Sequence, residues 1–150
     1  MDVRVDRLRC CDLQEQGEAL LEANGQETGH RELDIDWSVY SLAEAAHKLL
    51  VFGAWAGEEL VGYVAGFFVD KHIQHQSWCY AQVDVFYVDP DHRNAATCEQ
   101  LMSAFSRAAR SLTATSVLWG AKAGSAFERV LDSKDRFTKF EVFYEEQIEW

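Results

Sequence analysis

Proline is nearly missing from this chain: Pro90 is the only one in 150 residues. A Pro-rich linker or a polyproline segment is therefore excluded. Cysteine is also sparse. Cys10 and Cys11 are adjacent and cannot easily bridge each other, and with Cys79 and Cys98 they form no Cys-x-x-Cys pair. That spacing argues against a disulfide framework and a zinc site, and it predicts reduced thiols in a cytoplasmic setting. No apolar run is long and uncharged enough to span a bilayer, and Asp2, Arg4, Asp6, Arg7 and Arg9 leave no apolar signal-peptide core at the start. Positive charge is short as well: 14 Lys and Arg stand against 25 Asp and Glu, a net charge of −11. Such a surface repels nucleic-acid phosphate, so direct nucleic-acid binding is not expected. The natural partner is an amine-bearing small molecule or a basic, lysine-containing protein segment; the plainer reading of the same charge is solubility.

What is present reads as one domain over 1–150, long enough to bury a core without metal. Val3–Arg9 alternates as a first strand, and Leu13–Ala23 is an amphipathic helix that Asn24-Gly25 would end. Residues 26–32 read as a loop. A second helix starts near Asp34–Tyr40, capped by Asp36 or Ser41, and runs to about Leu50. Val51–Trp55 and Leu60–Val69 form a hairpin around Ala56-Gly57-Glu58-Glu59, and a further strand covers Trp78–Val88. A long helix from about Asn94 to Leu112 puts Leu101, Phe105, Ala108, Ala109 and Leu112 on one face. Ser116–Gly120, Ser125–Leu131 and Thr138–Ile148 read as strand, helix and closing strand. The order β-α-α-β-β-β-α-β-α-β implies an α/β fold, with an antiparallel hairpin section and parallel later crossovers. The last strand would leave an edge on which a second copy could pair as a homodimer.

The stretch from Val83 to Met102 is the most telling. An aromatic and β-branched strand meets the single proline, then Arg93, then a helix whose first backbone N–H groups form a natural phosphate site.

Four segments, in order, resemble the GNAT-type N-acetyltransferases and in particular their short phage- and prophage-encoded members. They are Asp34-Ile35-Asp36-Trp37-Ser38-Val39-Tyr40, Leu60-Val61-Gly62-Tyr63, His72-Ile73-Gln74-His75, and Asp84 through Arg93. The resemblance implies a mixed, mostly antiparallel central sheet flanked by helices, and acetyl-CoA-dependent transfer to a primary amine by direct attack. It implies that the strand carrying Phe86 and Val88 splays from its neighbour and holds the pantetheine arm through backbone groups. Arg93, Asn94, Ala95, Ala96, Thr97 and Cys98 would hold the pyrophosphate, and the Val88 N–H would stabilise the oxyanion. The phosphate loop departs from R/Q-x-x-G-x-G/A: Ala96 and Cys98 stand at the small positions. If residue 96 needs a positive φ, alanine costs about 1–2 kcal/mol; if it is helical, the change is harmless. Phe127 occupies the position where many members carry an acid tyrosine, which leaves an unassisted thiolate, Tyr80 or Cys79 as alternatives.

Period-two alternation would place Gln82, Asp84, Phe86 and Val88 on one face, with Asp84 as base or amine ligand or else a structural carboxylate. Trp37 and Tyr40 share a helix face as core packing or as an aromatic wall for a cationic amine. Asp34 and Asp36 could bind that amine or be solvated helix-start acids. His72 and His75 read as substrate contacts, a proton relay or surface turn residues, and no metal is expected there. Lys122 would meet CoA phosphate or solvent. The alternative to an enzyme is a phage or host-interaction protein that keeps the fold with weakened or lost catalysis.

Overall fold

A computed structural model describes residues 2–29 and 31–148, in two compact units spanning 1–119 and 120–150. The first unit is built on strands β1 (Arg4–Arg7), β2 (Leu49–Ala56), β3 (Glu59–Val69), β4 (Tyr80–Val88) and β5 (Ser116–Leu118). They lie in the order β1-β2-β3-β4-β5, with β4 and β5 the one parallel pair among antiparallel neighbours. Helices α1 (Cys10–Gln16), α2 (Glu18–Thr28), α3 (Trp37–Ala45) and α4 (Ala95–Ser111) complete the unit. This is the mixed α/β sheet with flanking helices that the sequence implies.

The sheet buries both faces. On one, Leu49, Val51, Tyr63, Ala65 and Tyr87 pack with Leu13, Leu20 and Leu21 from α1 and α2. On the other, Val64, Ala81, Val83 and Val88 pack with Leu101, Phe105 and Ala109 of α4, the face that its apolar spacing marks out. Each fully buried side chain of this kind contributes about 1.5–3 kcal/mol.

Several boundaries differ from the sequence reading. The first helix is two helices: Gly17 interrupts it, and a Cβ there would meet the Leu13 carbonyl at 2.5 Å. Asn24-Gly25 does not end α2, which continues to Thr28 and stops at Gly29 in the left-handed conformation, φ 58°. Asp36, not Ser41, caps α3, and that helix ends at Ala45 because His47 turns to φ 57° and feeds β2. Glu44 of α3 accepts the Cys10 N–H at 2.7 Å, capping α1.

The second unit holds α5 (Ala126–Asp132), which Ser125 caps by accepting the Glu128 N–H at 3.1 Å. Lys139 bridges Glu128 and Asp132, each at 3.1 Å. Residues 138–148 form no strand, contrary to the alternation of Phe140, Val142 and Tyr144. An alternating segment becomes a strand only when a neighbouring ladder accepts its backbone groups. Among the described residues no helix is long and apolar enough to cross a membrane.

Candidate active site

Two departures from regular sheet geometry create the site. The first is a parting of strands. β4 and β5 pair only through Tyr80–Ser116, Ala81–Val117 and Gln82–Leu118; β5 then ends while β4 runs on to Val88. Asp89 N–H donates to the Val61 carbonyl at 2.8 Å, so by strand alternation the Val88 N–H and C=O face away from β3, toward the opened side. Below that opening Trp119 packs edge-on against Phe86, ring centroids 6.1 Å apart, and against Phe105 at 5.7 Å. Trp119 falls within the strand expected over Ser116–Gly120, but β5 ends at Leu118, and a lone aromatic at a strand end carries no signal of a site.

The second departure is a β-bulge. Ala65 pairs with Val85 and Gly66 with Val83, so Asp84 has no partner on β3. The extra residue resets the alternation. The expected single face of Gln82, Asp84, Phe86 and Val88 is therefore split. Phe86 and Val88 pack on the α4 side of the sheet, whereas Asp84 turns to α3, where Tyr40 Oη donates to its Oδ2 at 2.5 Å. Gly66 permits this: a Cβ there would collide with the Gln82 carbonyl and stand 2.9 Å from Val83 Cα.

Tyr40 joins a short aromatic row, 5.6 Å from Trp37 and 5.7 Å from Phe67 between ring centroids. Burial, then the hydrogen bond to Asp84, push the Tyr40 phenol well above its ordinary range, so it stays protonated and keeps donating. Tyr63, buried and accepting from Asn24 Nδ2 at 3.2 Å, is pushed up to about 12, chiefly by burial.

Beyond Val88 the chain makes one tight turn, Pro90–His92, and enters α4. Asn94 is the helix cap: its Oδ1 accepts the Thr97 N–H at 2.9 Å, and its carbonyl accepts the Cys98 N–H at 3.1 Å. The N–H groups of Ala95 and Ala96 are left at the open end of the helix dipole. Ala96 lies inside the helix and is not among the positive-φ residues. The alanine in place of glycine therefore carries no backbone strain, and it favours the helix. Thr97 is buried, and Cys98 is half-buried with its thiol pushed up by that burial.

The sequence profile of the Acetyltransferase (GNAT) family matches residues 12–130. The chain belongs to that family. No curated protein matches it. Among solved structures it resembles a predicted acetyltransferase with acetyl-CoA from Clostridium acetobutylicum, TM-score 0.75 at 14% identity, covering 97% of this chain and 96% of that one. An aminoglycoside acetyltransferase from an uncultured soil metagenomic sample, in complex with sisomicin, gives 0.74 at 15% identity over 98% and 97%. The ribosomal-protein-alanine N-acetyltransferase of Brucella melitensis biovar Abortus 2308 gives 0.69 at 19% identity over the full length of both chains. These likenesses are of fold. Acetyl-CoA is the cosubstrate of GNAT acetyltransferases, and the parted strands and uncapped N–H groups of this GNAT chain suit a long arm ending in a pyrophosphate.

The remaining candidates are placed less centrally. Asp36 Oδ1 accepts the Ser38 N–H at 3.0 Å and the Ser38 hydroxyl at 2.5 Å, which occupies it with the helix start. Asp34 is exposed just upstream. His72 and His75 stack on each other at 5.1 Å, and His72 also lies 5.1 Å from Trp78. His72 Nδ1 accepts the N–H groups of Gln74 and His75 at 3.1 and 3.2 Å, so the ring organises its own turn. Trp78 stacks on Tyr80 at 4.5 Å and donates to Ser116 Oγ at 2.7 Å. Cys79 Sγ donates to the Asp70 carbonyl at 3.0 Å. Phe127 lies on α5 in the second unit. Among the described residues no group of three or more His, Cys, Asp or Glu is gathered to hold a metal.

Proposed function

We propose that this GNAT chain is an acetyl-CoA-dependent N-acetyltransferase that moves an acetyl group to a primary amine by direct attack in a ternary complex. The observation that carries the reading is the end of β4, where the bulged Asp84, the parted strand and the open N-terminus of α4 follow one another between Asp84 and Ala96. The Ala95 and Ala96 N–H groups would receive the pyrophosphate and the exposed edge of β4 the pantetheine amides. Asp84, its Oδ2 held by Tyr40, keeps Oδ1 free to bind the incoming ammonium group and accept its proton. The Val88 N–H donates to the carbonyl oxygen as it gains charge. The acceptor is an amine-bearing small molecule or a lysine-containing protein, in keeping with the net charge of −11. A cytoplasmic setting fits the spacing of the four cysteines, which includes no Cys-x-x-Cys pair.

Thermal melting with acetyl-CoA tests the reading. A ligand at 100 times its Kd adds about 2.7 kcal/mol to stability, so a clear rise in melting temperature is expected. Absence of any shift at millimolar acetyl-CoA would sink the assignment. Release of free CoA thiol across a panel of amines then identifies the acceptor class.

A further inference from the structure

Arg93 stands where the phosphate loop begins, yet its side chain is committed elsewhere. Nη1 and Nη2 donate to the two carboxylate oxygens of Glu27 at 2.9 and 2.8 Å, and Nε donates to the Val88 carbonyl at 3.0 Å. The guanidinium also lies over the Tyr87 ring, 5.4 Å from its centroid. We propose that Arg93 is a positioning residue for acyl transfer, fixing the end of β4 so that the Val88 N–H stays aimed into the opened side, with Glu27 holding Arg93 in that pose.

The inference rests on the acetyltransferase reading and adds a role to a residue that the loop motif would assign to phosphate. The Val88 carbonyl lies on the side of β4 where β5 no longer pairs, so the sheet does not hold it there. Arg93 supplies the missing partner with a charge-assisted bond. The planar guanidinium reaches Glu27 and Val88 together, which a lysine ammonium at one point cannot do. Arg93 holds the Glu27 carboxyl below its usual range while lying over the Tyr87 ring, so the two residues ending β4 meet one anchor. One turn earlier on α2, Asn24 holds Tyr63 of β3. The last turns of α2 thus latch both strands beside the opening.

The test is steady-state kinetics on one acceptor, with acetyl-CoA affinity measured separately by titration. Arg93→Lys is expected to lower kcat about ten- to a hundred-fold, the scale of a misaimed donor, while acetyl-CoA Kd changes little. A weakened acetyl-CoA Kd with kcat retained would make Arg93 a phosphate ligand and overturn the proposal. The exchange Glu27→Arg with Arg93→Glu restores an ion pair, but a carboxylate cannot donate to the Val88 carbonyl. It should recover melting temperature and leave kcat low; recovery of kcat would reduce the pair to a tether between α2 and the turn before α4 and also overturn it. Wild-type protein that neither binds acetyl-CoA nor acetylates an amine defeats the functional reading and this inference together. An active wild type with an unchanged Arg93→Lys kcat defeats this inference alone.

Discussion

Asp84 is acidic chemistry placed by a neighbour that the sequence offers only as an aromatic. Tyr40 lies 44 residues away, and its hydroxyl fastens Oδ2. A hydrogen bond to a charged group contributes about 1.5–3 kcal/mol. Tyr40→Phe keeps the ring contacts with Trp37 and Phe67 and removes only this bond. Its expected effect is a loss of about tenfold in kcat/KM for the amine, with acetyl-CoA binding unchanged, since the α4 terminus is untouched. Asp84→Asn should lower kcat further, again with acetyl-CoA binding nearly intact. Titration of each variant with acetyl-CoA, beside amine kinetics, checks both; a variant that loses cosubstrate affinity instead would move Tyr40 and Asp84 out of the acceptor side.

The decisive element is the bulged β4, and it shows where the sequence is legible and where it is not. Helix α4 can be read directly, because Leu101, Phe105 and Ala109 recur at helical spacing and bury together. The strands β2 to β4 can be read too, since β-branched and aromatic runs are bounded by turn residues. The bulge cannot. Gln82 to Val88 alternates equally well with or without an extra residue, and what selects the bulge is Gly66 on the adjacent strand, a contact across the ladder. For the same reason the role of Arg93 is hidden: its partner Glu27 lies 66 residues away, within a segment that reads in part as loop. Gly66→Ala should therefore be costly. Its Cβ meets the fixed backbone of Gln82 and Val83 as well as Phe105 Cζ at 2.7 Å, and overpacking of this kind costs about 1–3 kcal/mol. At Gly53 a Cβ meets only Leu8 and Leu60 side chains, at 2.6 and 2.7 Å, which can swing aside. Urea denaturation should rank Gly66→Ala as more destabilising than Gly53→Ala, and only the former should depress amine turnover by moving Asp84. Equal midpoints and equal activities would show that the bulge does not depend on this glycine.

At the scale of the molecule, surface charge and the packed tyrosine hydroxyls limit stability on the same, alkaline side. The net charge of −11 grows more negative as tyrosines ionise, so self-repulsion rises in alkali. Linkage adds to it. Burial raises the folded-state values of Tyr40 and Tyr63 above the ordinary tyrosine value of 10.0. A group raised on folding contributes stability that is fully present below its unfolded value and is lost as pH climbs toward and through the folded one. Melting temperature should accordingly fall above about pH 10, where an unfolded tyrosine gives up its proton and these two do not. Salt separates the two causes, because it screens surface repulsion and leaves a buried hydroxyl largely unaffected. In high salt the alkaline decline should persist in the wild type and become shallower in Tyr40→Phe, which has no proton to keep. Parallel melting curves for the two proteins in high salt would mean that Tyr40 does not carry its share. A decline abolished by salt would assign the whole effect to surface charge rather than to the hydroxyls packed against the sheet.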